Sequence, residues 1–218
     1  MINSPPRIKA VIFDMDGTLA DSEPLHEKAE RLMMDSLGLK VSESEHKSFV
    51  GSTDRHMWAS LKEKHCLAFS LDELIRMKQK KYLEVLDENV RPMPGVLNLL
   101  SDLQGKIPIG LASSATIHEI NLVIDSLSIR KYFKAIVSGD EVKNSKPSPD
   151  IFLEAARRLE VSPNDCLVVE DSLNGVIAGK LAGMKTLAVP NTRTQHMDFS
   201  CADYKITSLE YFEKKFLT

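Results

Sequence analysis

Two aspartates one residue apart, Asp14 and Asp16, close the run Ala10-Val-Ile-Phe13 and are followed at once by Gly17 and Thr18. A β-branched apolar run ending in two carboxylates delivers them to the carboxyl end of a buried strand. In an open α/β sheet that end is where ligands bind. Two close carboxylates repel each other unless a cation or a shared proton relieves them, so the pair predicts a metal, an altered pKa, or both. Three further clusters follow expected strands: Ser113-Ser114, Lys146-Pro147 and Glu170-Asp171. Together they are the parts of phosphoryl transfer. A carboxylate can attack phosphorus, and a second acid can protonate the leaving oxygen and then activate water. Further carboxylates suit Mg²⁺, which prefers oxygen ligands. A hydroxyl and N–H groups at a helix start can hold phosphate oxygens, and a lysine can neutralise the transferring group.

Each cluster alone has a plainer reading. Asp14-x-Asp16 could be a calcium-type loop or a solvated strand end. Ser113-Ser114 could be a helix N-cap, Lys146 a surface lysine, and Glu170-Asp171-Ser172 a cap for a helix near Gly175. Joint placement at four strand ends argues against all of these together.

The elements that position the clusters follow from periodicity. Ile8–Phe13 predicts a strand. Between about 24 and 89 no strand pattern occurs, and four helices are expected at roughly 24–37, 43–50, 54–65 and 70–89. Ser42 with Glu45 and Ser70 with Glu73 form capping boxes, and Gly38 and Gly51 punctuate. Leu25, Ala29, Leu32 and Met33 make one apolar stripe; Leu71, Leu74, Ile75, Tyr82, Leu83 and Leu86 make another. From Pro94 onward strands (107–112, 135–137, 166–169, 186–189) alternate with helices (to 103, 116–127, 149–159, 175–182), and a closing helix is expected over 209–216. Such alternation implies a parallel sheet that the first strand must join. The expected architecture is a three-layer α/β Rossmann-like core of residues 1–21 and 91–218, with residues 22–90 inserted as a helical-bundle cap.

The 218 residues suit a core with one inserted subdomain. A net charge of −3 with dispersed Lys and Arg offers no general attraction to nucleic acid or anionic membrane. No apolar run approaches the roughly 18 residues of a membrane span, and no secretory leader is expected before the first strand. Cys66, Cys166 and Cys201 are distant, and there is no Cys-x-x-Cys or His-x-x-x-His spacing, which argues against a disulfide framework or a thiolate zinc site. A monomer in a reducing cytoplasm, with a small-molecule partner, is the expectation.

Asp14-Met-Asp16-Gly17-Thr18, Ser113, Lys146 and Glu170-Asp171 resemble, in order and spacing, the four motifs of the haloacid dehalogenase-like hydrolase superfamily. The helical insertion resembles the β-phosphoglucomutase-like and sugar-phosphate phosphatase members. The resemblance implies Asp14 as nucleophile and Asp16 as general acid/base. It implies Mg²⁺ held by Asp14, the Asp16 backbone carbonyl and Asp171, with Glu170 beside them. Ser113, Ser114 and Lys146 would bind phosphate, and Gly17 and Thr18 would shape the turn. In the cap, His26 resembles a hinge histidine, and Arg55 or His56 could reach the substrate; Trp58 is a pocket candidate or core.

The implied activity is a Mg²⁺-dependent phosphatase for a small metabolite, a hexose or 2-deoxyhexose phosphate, acting through an aspartyl-phosphate. The alternative is a β-phosphoglucomutase. It is weakened because the Ser-Lys pair those enzymes carry after the motif serine is absent from Ser114-Ala-Thr116-Ile117, and because Arg55 sits one place off the cap arginine that the resemblance leads one to expect.

Overall fold

The computed structural model describes residues 8–49, 54–86 and 90–218. In chain order the strands are β1 (Ala10–Phe13), β2 (Ala20–Asp21), β3 (Arg91–Pro92), β4 (Ile109–Ser113), β5 (Ala135–Ser138), β6 (Cys166–Glu170), β7 (Lys185–Ala188) and β8 (Tyr204–Lys205). The helices are α1 (Glu23–Ser36), α2 (Glu43–Ser48), α3 (Asp54–His65), α4 (Leu71–Leu86), α5 (Val96–Leu103), α6 (Ile117–Ser126), α7 (Asp150–Leu159) and α8 (Leu173–Leu181). The chain divides into two compact units: the part up to Asp21 together with Arg91 onward, and Ser22–Val90.

The first unit is α/β and Rossmann-like. Six parallel strands lie in the order β5-β4-β1-β6-β7-β8. β1, β4 and β6 are buried at every position, as expected of central strands covered on both faces. On one face Ala10, Ile12 and Val168 meet Ile151, Phe152, Ala155, Ala156 and Leu159 of α7; strand alternation turns Val11 and Phe13 to the other face. The register brings the strand ends level. Phe13 lies opposite both Leu111 and Val169, Ser113 opposite Ser138, and Glu170 opposite Ala188. Residues just past four neighbouring strands therefore share one edge.

After β1 the chain turns on the Met15 carbonyl, which accepts the N–H of Thr18, Leu19 and Ala20. It then forms β2, which pairs antiparallel with β3. This two-residue ribbon holds together the points where the chain leaves for and returns from Ser22–Val90. Strands so short carry no periodicity, and neither the ribbon nor β8 is visible in the sequence pattern.

The second unit is helical, and α4 packs against both α1 and α3. Its core gathers Met33, Met34, Met57, Trp58, Leu61 and Leu74, so Trp58 is a core residue. Ser42 Oγ accepts the Glu45 N–H, and Ser70 and Glu73 cap reciprocally. Two apolar-stripe expectations need correction. Leu32 is exposed, and the buried face of α1 runs through Leu25, Ala29, Glu30, Met33 and Met34. In α4 the buried set is Leu74, Lys78, Tyr82, Val85 and Leu86. Glu30 and Lys78 take inward positions because each has a polar partner there: His46 Nε2 at 2.8 Å from Glu30, and His26 Nδ1 and Asp54 at 2.7 and 2.9 Å from Lys78. The expected turn at Gly51 and the end of the helix expected over 70–89 lie outside the described residues.

The expected closing helix is two 3₁₀ turns, Leu209–Tyr211 and Lys214–Leu217, separated by extended Phe212 and Glu213. Leu209 and Phe216 are buried, and Phe216 packs edge-on to Phe212 and against Tyr204. That tertiary packing overrides a short amphipathic pattern. Among the described residues no helix is long and apolar enough to cross a membrane.

Candidate active site

Four strands of the core supply the site. Asp14 follows β1, and its N–H donates to the Val169 carbonyl of β6 at 3.0 Å. Ser113 ends β4, Glu170 ends β6, and Asp171 follows it. Lys146 reaches in from the loop before α7. Its ammonium donates to Asp14 Oδ1 at 2.5 Å, Glu170 Oε1 at 2.7 Å and the Ala112 carbonyl at 3.2 Å, and it lies 4.9 Å from the centroid of the Phe152 ring. Lys146, Asp14 and Glu170 are each less than a tenth exposed in their side chains. Lys146 is thus a built-in cation, and its surface reading fails.

Asp16 is partly buried, and its Oδ2 lies 3.5 Å from Ser113 Oγ, which also accepts the Ala115 N–H. Thr116, not Ser113 or Ser114, caps α6 in a capping box with Glu119. The two serines are thereby released from the helix-cap reading; Ser113 is buried and Ser114 exposed. Ser172 does cap α8 through the Gly175 N–H, while its own N–H and Oγ donate to Glu170 Oε2 at 2.9 and 2.8 Å. Both oxygens of Glu170 are therefore engaged, one by Lys146 and one by Ser172. Gly175 lies so close that a Cβ there would overlap the Glu170 carboxyl group.

One oxygen each from Asp14, Glu170 and Asp171 lies within 4.8 Å of the others. The side chain of Asp16 is not in this group, which leaves its backbone carbonyl as the donor expected of it. Burial, above all, lifts the Asp14 carboxyl well above the usual carboxylate range; Glu170 and Asp16 add to this, and Lys146 opposes it. Burial would lower the Lys146 ammonium, but Asp14 and Glu170 outweigh it and hold it above the ordinary lysine value. Carboxylates thus outnumber Lys146 at one buried edge. A hard divalent cation with oxygen preference is what such a donor set accommodates.

The turn around the site has its own requirement. Gly17 has φ +76°, and a Cβ there would overlap the Asp171 carboxylate and crowd the Asn191 amide. Asn191, just past β7, donates to Asp171 Oδ2 at 2.8 Å. Sequence reasoning missed it, although its place after a fourth strand on the same edge was a usable signal.

His26 and Arg55 belong to the helical unit. His26 is hydrogen-bonded to Lys78 and stacked on Tyr82 at 3.9 Å. Arg55 is exposed and paired with Asp72 at 2.7 Å. Asp14, Asp16, Ser113, Lys146, Glu170 and Asp171 are brought together in the core, whereas these two residues stand in a separate unit.

Residues 11–189 match the family of haloacid dehalogenase-like hydrolases. Hexitol phosphatase B of Escherichia coli K12 is 34% identical over 215 residues, which span 95% of this chain and 96% of that protein. Among solved structures, CbbY from Rhodobacter sphaeroides in complex with phosphate has a TM-score of 0.83 at 28% identity, covering 96% of this chain and 99% of that one. A β-phosphoglucomutase from Clostridium difficile has a TM-score of 0.76 at 29% identity, covering 96% and 95%. With the motif residues gathered at one sheet edge and the match running through most of the chain, this protein belongs to the haloacid dehalogenase-like hydrolases.

Proposed function

We propose that this phosphoric monoester hydrolase acts on a hexose or 2-deoxyhexose phosphate through a phosphorylated Asp14, with Mg²⁺ as its cation and Ser22–Val90 as its substrate-selecting cap. The observation that carries the reading is the Asp14–Lys146–Glu170 arrangement beside Asp171 at the carboxyl edge of the sheet. The substrate class is supported by likeness to a hexitol phosphatase.

Asp14, Asp171 and the Asp16 carbonyl would hold the Mg²⁺; Glu170 is committed to Lys146 and Ser172. Bound Mg²⁺ supplies charge neutralisation and polarises a phosphoryl oxygen. The phosphate group is received by Ser113, the Ser114 N–H and Lys146. Asp14 attacks phosphorus, forming a new O–P bond as the ester O–P bond breaks. Asp16 gives its proton to the departing alkoxide oxygen, so a neutral alcohol leaves. Asp16 then takes a proton from a water molecule as that water attacks phosphorus, which releases phosphate and restores Asp14. Lys146 stabilises the charge on the transferring group throughout. In the cap, His26 and Arg55 are the proposed contacts to the sugar.

The test is a phosphate-release screen over sugar phosphates and nucleotides, with and without Mg²⁺. It includes β-glucose 1-phosphate plus glucose 1,6-bisphosphate as a mutase control. Release from hexose or 2-deoxyhexose phosphates that is lost on chelation is the expected result. Formation of glucose 6-phosphate in the control would replace this reading with the mutase.

A further inference from the structure

We infer that Asn191 is a positioning residue that holds the Asp171 carboxylate in its metal-binding orientation, and that the turn Asn191–Thr194 exists to aim it. This inference rests on the metal reading above.

Asn191 follows Val189-Pro190 at the end of β7, the strand beside β6. The Val189 N–H donates to the Glu170 carbonyl at 2.7 Å, so the chain entering the turn is fastened to the residue before Asp171. The two ends of the Asn191 amide do different work. Its oxygen accepts the Arg193 N–H at 2.9 Å, the Thr194 N–H at 3.3 Å and Thr194 Oγ1 at 3.4 Å. The Asn191 backbone N–H donates to Thr194 Oγ1 at 3.1 Å. With the oxygen claimed by the turn, the NH₂ end is directed to Asp171 Oδ2 at 2.8 Å. An amide flip would break the turn bonds and set oxygen against oxygen at Asp171, so the orientation is unique.

The turn is also protected from displacement. Thr194 is buried, and the space between Gly17, Asp171 and Asn191 is too small for a methyl group. A hydrogen bond from a neutral amide fixes the rotation of a carboxylate without neutralising it. That is what a metal ligand needs, because its charge must stay available to the ion. A lysine in the same place would compete with the ion for that charge. Partners of this kind typically change metal affinity by about 10–100-fold.

The test measures Mn²⁺ binding directly, from the electron paramagnetic resonance signal of free Mn²⁺ over the purified 218-residue chain. Wild type, Asp171→Asn, Asn191→Ala and Thr194→Val are compared, with thermal unfolding of each. Asn191→Ala should raise the Mn²⁺ Kd about tenfold or more. Thr194→Val keeps the amide but loosens its aim, and should raise the Kd severalfold. In both, turnover should recover towards wild type at saturating metal, so the loss falls on the metal requirement and not on the maximal rate. A merely structural turn would lower the unfolding temperature and leave the Kd of the folded protein unchanged; that result overturns the inference. If Asn191→Ala does not fold, an unchanged Kd in folded Thr194→Val overturns it equally. If Asp171→Asn binds Mn²⁺ as wild type does, the metal reading itself fails, which is distinguishable from failure of Asn191 alone.

Discussion

The core and the helical unit both bury charge, but they do so differently. In the helical unit each buried charge faces a polar partner. Glu30 meets His46 at 2.8 Å between α1 and α2, and Lys78 of α4 meets Asp54 of α3 and His26 of α1. Each group has a partner on another helix, and the effect is to tie helices together. In the core Asp14, Glu170 and Asp171 cluster within one ion's reach, with Asp16 nearby and Lys146 as their cation. Nothing about holding the sheet requires that imbalance. Buried charges with partners on other helices are the architectural kind here, and the unbalanced cluster is the one to which the proposed function assigns chemistry. The contrast matters because burial alone, or a charged residue on an apolar face alone, looks the same in both units.

The contrast can be broken at either end. The largest effect is expected at Asp14. Asp14→Asn keeps the shape and removes the proposed nucleophile, so steady-state phosphate release should fall by about 10³-fold or more while circular dichroism and thermal unfolding report a folded protein. Near-normal release would remove the chemical meaning of the cluster. Next comes Lys146→Ala, which should lower kcat by roughly 10²-fold through lost charge stabilisation. A change confined to KM would make the lysine a docking charge.

In the helical unit the same kind of deletion should register in stability. His46→Ala leaves Glu30 buried without its partner, and should cost about 2–3 kcal/mol in urea unfolding with activity per folded molecule preserved. The double change Glu30→Leu with His46→Leu should recover most of that, because an apolar pair replaces a matched polar one at little cost. A loss of turnover at saturating substrate in either variant would contradict the architectural reading.

The smallest effect concerns a matched cluster in the core unit, away from the chemistry. Burial would raise the Asp203 carboxyl, but Lys180, Lys185 and Thr186 reverse this and hold it at about 2, below its ordinary 3.8. A depressed folded-state pKa stabilises above the unfolded value, and that contribution is lost as pH falls from about 4 through about 2. Asp203→Asn should therefore cost about 1–2 kcal/mol at neutral pH and flatten the stability–pH curve in that window. An unchanged acid limb in urea titrations would show that the partly exposed lysines contribute nothing there.

The alternation of buried runs and amphipathic stretches was enough to read a parallel α/β core with a helical insertion, because burial of a local face leaves a period in the chain. The four motif clusters were legible for a related reason. Strand ends on one edge converge whatever their distance in sequence, and β4, β1 and β6 do so with Ser113, Asp14 and Glu170. Strands of two residues leave no period in the chain, as β2, β3 and β8 show. Where two polar residues face one another across elements, as Glu30 and His46 do, an apolar stripe points wrongly to Leu32.

The sequence by itself determined which carboxylates, serines and lysine come together, their order along the chain and the sheet edge on which they meet. Only the tertiary structure decided which oxygen each group engages. It made Glu170 the anchor of Lys146, gave the cap of α6 to Thr116 instead of the serines, turned Asn191 onto Asp171, and unwound the expected closing helix around Phe216. Local chemistry and periodicity are written residue by residue, whereas a hydrogen-bond partner is chosen by backbone geometry that distant segments build together.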